Sequence, residues 1–123
     1  MLFDNHNSVL KNFMDMTAIR WSVTDQYGNE ICLTQERWEH ITDPINHPVM
    51  KNYENHLQDT IKHGKRKQNP HNQQKYRYYR QFDVLAEYNT HIIAIVLFRC
   101  RQNNDEKPVL NNYIVTAYQK EIG

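Results

Sequence analysis

The apolar positions of the chain follow two different periods, and each period predicts a different kind of element. Residues 19–23 alternate between apolar and polar side chains, turn residues surround Gly28, and a second extended run covers residues 30–33. This pattern predicts a β-hairpin. Thr34 is suited to cap a helix that follows the hairpin and ends at Thr42-Asp43-Pro44.

An apolar stripe at helical spacing predicts a second helix, from Asn46-His47-Pro48 to Lys62-His63-Gly64. Proline is tolerated in a first helical turn, while basic residues and glycine suit a helix end. The stripe consists of Met50, Tyr53, Leu57 and Ile61. Residues 1–16 carry a similar but shorter pattern, which predicts an extra N-terminal helix or arm over residues 1–17.

The second half of the chain reads as strands. After a polar loop through Pro70, three extended segments follow, namely Tyr76–Phe82, His91–Cys100 and Leu110–Tyr118. The middle segment is nearly all apolar, which predicts a central strand. Residues 103–108 predict a turn. Helices early and strands late favour one α+β domain over residues 1–123, with a mainly antiparallel sheet covered on one face.

Composition excludes several classes of protein. With 39% hydrophobic and 24% charged residues, the chain matches one globular domain. The longest apolar run, residues 92–98, is shorter than the about 20 residues of a membrane helix. The first residues lack the basic start and apolar stretch of a signal peptide, which predicts a cytoplasmic protein. The two cysteines form no CxxC pair and no histidines stand at i, i+4 in a zinc-binding pattern, so we expect no metal site.

Charge is unevenly distributed along the chain. Residues 1–59 hold four Lys or Arg against nine Asp or Glu, whereas residues 60–123 hold eleven against five. Residues 60–82 contain no acid, and their basic residues alternate with tyrosines. Such a cluster suits phosphate neutralisation and base stacking, and a solvated basic loop is the alternative. The candidate RNA-binding residues are Lys65, Arg66, Lys67, Lys75, Arg77 and Tyr78.

Four side chains are candidates for phosphate chemistry. Thr116 and Tyr118 alternate on one strand, so that their hydroxyls share a face. Arg80 offers a planar fork for two phosphate oxygens. His40, near a helix end, suits proton transfer near neutral pH. Each candidate also has a purely structural alternative. Thr116 and Tyr118 could form a cross-strand hydrogen bond, Arg80 could form a salt bridge, and His40 could bond a helix-end carbonyl.

Five motifs occur in one order along the chain: Ile31-x-Leu33-Thr34, Arg37-Trp38-Glu39-His40-Ile41, His47-Pro48-x-Met50, Tyr78-Tyr79-Arg80 and Val115-Thr116-Ala117-Tyr118. This order resembles a phage-type member of the barnase/EndoU/colicin/RelE-like (BECR) nuclease superfamily. The resemblance covers roughly residues 19–120. The basic stretch at residues 62–75 departs from the expected pattern.

The resemblance implies N-terminal helices packed on a four- or five-stranded antiparallel sheet. It also implies a toxin-like endoribonuclease that acts on RNA, such as tRNA or mRNA, without metal or cofactor, restrained by an antitoxin or immunity protein. Cleavage would proceed by attack of the 2′-OH, which leaves a 2′,3′-cyclic phosphate and a 5′-OH. The implied catalytic residues are His40, Arg80, Thr116 and Tyr118, with His47 either a further candidate or a helix start. A non-catalytic RNA- or protein-binding module on the same fold is the alternative.

Overall fold

The computed structural model of the protein describes residues 18–99 and 112–123, which form a six-stranded sheet with two α-helices and one 3-10 helix. The strands are β1 (Ile19–Thr24), β2 (Glu30–Thr34), β3 (Lys65–Asn69), β4 (Asn72–Gln81), β5 (His91–Phe98) and β6 (Asn112–Lys120). The α-helices are α1 (Gln35–Thr42) and α2 (Glu54–His63), and the 3-10 helix is Pro48–Asn52. The predicted N-terminal helix and the turn at residues 103–108 lie outside the described residues.

The strands are arranged in the order β1-β2-β6-β5-β4-β3. Neighbouring strands are antiparallel except β2 and β6, which are parallel. The α+β class is therefore confirmed. The finer expectation, helices followed by a sheet of four or five antiparallel strands, is not confirmed. In the described residues the β1-β2 hairpin precedes α1, and the sheet has six strands, of which β2 and β6 form a parallel pair. No helix in the described ranges is both long and apolar enough to cross a bilayer.

The predicted local signals at the ends of the helices are largely confirmed. The Thr34 side chain accepts a hydrogen bond from the Arg37 N–H at 3.1 Å and so caps α1. The helix predicted over residues 46–64 is divided, because Tyr53 at φ −126° leaves the helical conformation between the 3-10 helix and α2. Gly64 ends α2 as predicted.

The helices cover one face of the sheet, which we call the first face. Side chains that lie directly opposite each other in an antiparallel pair share a face, and successive residues alternate. In β5, Ile92, Ala94 and Val96 point to the first face and join the core formed with the helices. The full core consists of Ile31, Leu33, Trp38, Ile41, Met50, Leu57, Ile61, Tyr78, Ile92, Ala94, Val96, Ile114 and Ala117.

Strand β3 occupies the stretch that the sequence predicts as a polar loop. Its residues lack apolar alternation, yet they pair with β4, with Lys65 opposite Tyr79 and Lys67 opposite Arg77. Arg66 points to the first face, where its guanidinium stacks within 4.3 Å of the ring centroid of Tyr27. Backbone pairing therefore forms this edge strand without an apolar side-chain pattern.

A buried carboxylate joins the hairpin turn to β4. The Tyr78 hydroxyl donates to Asp25, and Arg66 lies 3.3 Å from that hydroxyl and 3.9 Å from the carboxylate. Burial alone would raise the pKa of Asp25. The hydrogen bonds from Tyr78, Asn29 and Tyr27 outweigh burial and leave the pKa below its ordinary value.

This lowered pKa predicts an acid-dependent loss of stability. The ionised Asp25 carboxylate is favoured in the folded protein, so its contribution is fully present above the unfolded value of about 3.9 and is lost as pH falls through the folded pKa. We expect the difference in free energy of unfolding between wild type and Asp25→Asn to shrink on acidification, as measured by urea titrations across that range. Tyr78→Phe should reduce the same pH-dependent part. A difference that does not change with pH would contradict this account.

Candidate functional site

The face of the sheet opposite the helices, which we call the second face, holds two rows of side chains across three strands. Ile95 of β5 lies between Arg77 and Thr116. Two residues before Ile95 in β5, Ile93 lies between Tyr79 and Tyr118. The strands of a sheet are about 4.8 Å apart, so each row spans about 10 Å.

Thr116 and Tyr118 share the second face, as predicted. A bulge in the pairing of β5 with β6 shifts the alternation, because Ile95 is opposite Thr116 whereas Val96 is opposite Ile114. Ile114 therefore points into the core, whereas strict alternation along β6 would place it on the side of Thr116.

Arg80 does not join these hydroxyls. It lies opposite Ile92, whose side chain is in the core, and its guanidinium is 5.8 Å from the ring centroid of Phe82. Arg80 thus belongs to the first face, and the predicted convergence of Arg80 with Thr116 and Tyr118 is wrong. The register of β4 against β5 decides this, and that register depends on pairing between distant segments.

His47 contacts Tyr118. The two ring centroids are 5.5 Å apart and the ring planes are inclined by 33°. The His47 N–H donates to the carbonyl of Ile41 at 2.9 Å, which brings the chain back to the end of α1, and Pro48 then starts the 3-10 helix. His47 therefore both precedes the start of the 3-10 helix and contacts Tyr118. The sequence leaves a helix start and a site residue as alternatives for His47.

Arg37 brings a guanidinium to β6, the strand that carries these hydroxyls. Its Nε and one terminal nitrogen donate to the carbonyl of Val115 at 3.0 and 2.7 Å, next to Thr116 in the chain. Strand β2 pairs with β6 only at Cys32 and Tyr113, and α1 then runs along the edge of β6. That edge carbonyl is available to a helix side chain because the β2 pairing has ended.

His40 is exposed in the last turn of α1, three residues after Arg37. Residues at this spacing are neighbours on a helix surface, so His40 lies on the Arg37 side of α1. Asn46 donates to the His40 carbonyl at 2.8 Å, which closes the loop that carries His47. We call Arg37, His40, His47, Thr116 and Tyr118 the edge site.

Four of the predicted RNA-binding residues share the second face and two do not. Lys65, Lys67, Lys75 and Arg77 are the four on the second face, as their pairing partners establish. Arg66 and Tyr78 lie opposite each other on the first face, and Tyr78 is fully buried. The prediction that Tyr78 binds RNA is wrong because its ring is inaccessible, and Arg66 is held by Tyr78 and neighbouring rings.

Arg37 is the functional candidate that sequence reasoning missed. The signal was present, because Arg37 and His40 stand at i and i+3 while Trp38 and Ile41 of the same helix are buried in the core. Because Trp38 and Ile41 fix the orientation of α1 against the core, Arg37 and His40 have a defined position relative to the sheet. In the described part of the chain, no three His, Cys, Asp or Glu side chains are grouped to hold a metal ion.

Comparison with protein-family models, with curated proteins and with solved structures gave no match.

Proposed function

We propose that the protein is a metal-independent endoribonuclease that cleaves RNA at the edge site. The observation that carries this proposal is the contact of His47 with Tyr118 on β6, the strand whose Val115 carbonyl binds the guanidinium of Arg37. Proton-transfer groups, hydrogen-bond donors and a permanent positive charge are thus carried by α1, by the loop that follows it and by β6. Phosphodiester cleavage requires groups of these kinds.

The chemistry needs no metal because the substrate supplies its own nucleophile. The 2′-OH of one ribose attacks the adjacent phosphorus and loses its proton to a base, which forms a phosphorane with additional negative charge. The bond to the 5′-oxygen of the next nucleotide then breaks as an acid protonates that oxygen. The products are a 2′,3′-cyclic phosphate and a free 5′-OH, and DNA lacks the 2′-OH that starts the reaction.

The edge site offers a residue for each of these tasks. His40 and His47 transfer the two protons, since imidazole accepts and releases a proton near neutral pH. Arg37 stabilises the charge on the phosphorane, and its fixed bonds to Val115 keep the guanidinium in place. Thr116 and Tyr118 donate hydrogen bonds to the phosphate oxygens and orient the attacking group.

The test is incubation of the purified protein with total RNA in excess EDTA, followed by chemical analysis of the fragment ends. We expect fragments that carry 2′,3′-cyclic phosphate and 5′-OH ends, at the same rate with and without the chelator, and no cleavage of DNA of matched sequence. Loss of cleavage in EDTA, or fragments with 3′-OH ends, would contradict the proposal. Binding of RNA without fragments would favour the alternative, a non-catalytic binding module.

The toxin-like role and the antitoxin or immunity partner stay predictions that the family resemblance implies. A toxin-like ribonuclease needs a molecule that blocks its site in the cell that makes it. The edge site and the second face are the surfaces where such an inhibitor would act.

A further inference from the structure

An open pocket of about 320 Å³ lies on the second face, toward β3 and away from the edge site. Three cationic residues, Lys67, Lys75 and Arg77, line it, and its described lining contains no carboxylate. Ile95 and Pro70 contribute apolar surface. A concave site with several cations and some apolar surface suits a phosphate that is attached to a larger group.

A second observation also points to a ligand in this pocket. The Nε–H of Arg77 is buried and has no hydrogen-bond partner among residues 18–99 and 112–123. The guanidinium carbon lies 5.8 Å from the ring centroid of Tyr79, so the side chain is packed over an aromatic ring. Leaving a buried donor of a charged group unpaired is costly. An oxyanion that draws the guanidinium toward the pocket would pair this donor and remove that cost.

We propose that this pocket binds a phosphate group of single-stranded RNA that flanks the cleaved bond. This inference rests on the proposed function, since the edge site supplies the cleaved phosphate. Arg77 and Thr116 lie in one row across β4, β5 and β6, about 10 Å apart. A strand of RNA that crosses the row connects the two sites, and Ile95 between them offers apolar contact to a sugar or base.

The recognition is directed at the phosphate and not at base edges. When its guanidinium turns toward the phosphate, Arg77 donates from Nε and a terminal nitrogen to two phosphate oxygens. Lys67 and Lys75, which also line the pocket, add positive charge. Contacts of this kind position the strand without reading its sequence. The pocket therefore favours oligonucleotides over a dinucleotide, which cannot reach from the edge site into the pocket.

Binding of a short single-stranded oligodeoxynucleotide, measured by fluorescence anisotropy over a range of salt concentrations, tests this site apart from cleavage. DNA lacks the 2′-OH, so the probe stays intact. We expect Arg77→Gln to weaken binding about tenfold and to lower the slope of log affinity against log salt by about one. Lys75→Gln, which changes another residue that lines the pocket, should act in the same direction. Lys62→Gln, which removes an equal charge from α2, is the control and should leave affinity and slope unchanged.

The outcomes separate this inference from the proposed function. Equal affinity and salt slope in wild type, Arg77→Gln and Lys75→Gln, or no binding by wild type, would overturn the pocket. If RNA is nevertheless cleaved with the expected ends, the proposed function stands without the pocket. If the variants weaken the binding of the probe as expected but no RNA is cleaved, the pocket stands and the proposed function fails. Thermal melting of each variant confirms that a loss of binding is not a loss of folding.

Discussion

Replacing His47 with alanine lowers the rate of RNA cleavage by about 10²- to 10⁴-fold if the edge site is catalytic. A positioned proton-transfer group contributes about this much to a reaction rate. The His47 ring packs against Tyr118, so the variant also frees the Tyr118 ring, and its hydroxyl loses its fixed position. The measurement is the single-turnover rate on a labelled oligoribonucleotide in EDTA at neutral pH.

The matched control for this experiment is His71→Ala. His71 is an exposed histidine in the turn between β3 and β4. Strand β5 separates these two strands from β6 in the sheet. The His71→Ala variant should cleave RNA like wild type. The His47→Ala and His71→Ala variants should bind the oligodeoxynucleotide nearly equally. Cleavage by His47→Ala within a few-fold of wild type would remove His47 from the mechanism. Loss of binding in parallel with loss of cleavage would indicate disrupted structure and not lost chemistry.

Features that depend on neighbouring residues could be predicted from the sequence. The alternation of residues 19–23 and the turn around Gly28 give the β1-β2 hairpin, where Gly28 adopts φ +89°. The Thr34 cap and the glycine end of α2 are equally local. In each case a side chain or a backbone conformation acts within about one turn of the chain, so a single sequence contains the necessary information.

Features that depend on pairing between distant segments could not be predicted. Alternation along β4 shows that Arg77 and Arg80 face opposite ways, but only the pairing with β5 shows which one shares a face with Thr116. The bulge at Ile95 likewise depends on two strands at once. Strand β3 has no apolar pattern, because it is an edge strand whose outer residues meet solvent.

The edge site likewise combines features that the sequence predicts with features that depend on distant segments. The five motifs contain His40, Thr116 and Tyr118, and the sequence identifies these as candidates by their chemistry. Which guanidinium lies beside them depends on where β2 stops pairing with β6, because that point allows α1 to approach the edge of β6 and Arg37 to reach Val115. The i, i+3 spacing places Arg37 and His40 on one side of α1, but where α1 meets β6 is a tertiary arrangement that no local signal encodes.

Gly64→Ala should destabilise the protein more than any conservative change at its surface. Gly64 is buried where α2 ends and β3 begins, and a Cβ built there would lie 2.3 Å from the carbonyl oxygen of Thr60 and 2.7 Å from that of Tyr79. Both obstacles are backbone atoms of paired elements, so α2 must move away from β4. Overpacking of this kind costs about 3 kcal/mol, which corresponds to a fall in melting temperature of roughly 10 °C for a domain of this size.

The backbone angles at Gly64 make this prediction specific to packing. Its φ of −76° is accessible to alanine, so a loss of stability in Gly64→Ala would come from the contacts and not from a left-handed conformation. Gly123→Ala is the matched control, because nothing lies within 4 Å of a Cβ at that position. Calorimetric melting should show the loss for Gly64→Ala alone. Equal melting of both variants would mean that α2 and β4 separate at little cost, and the close junction would then not hold β3 and its lysines against β4.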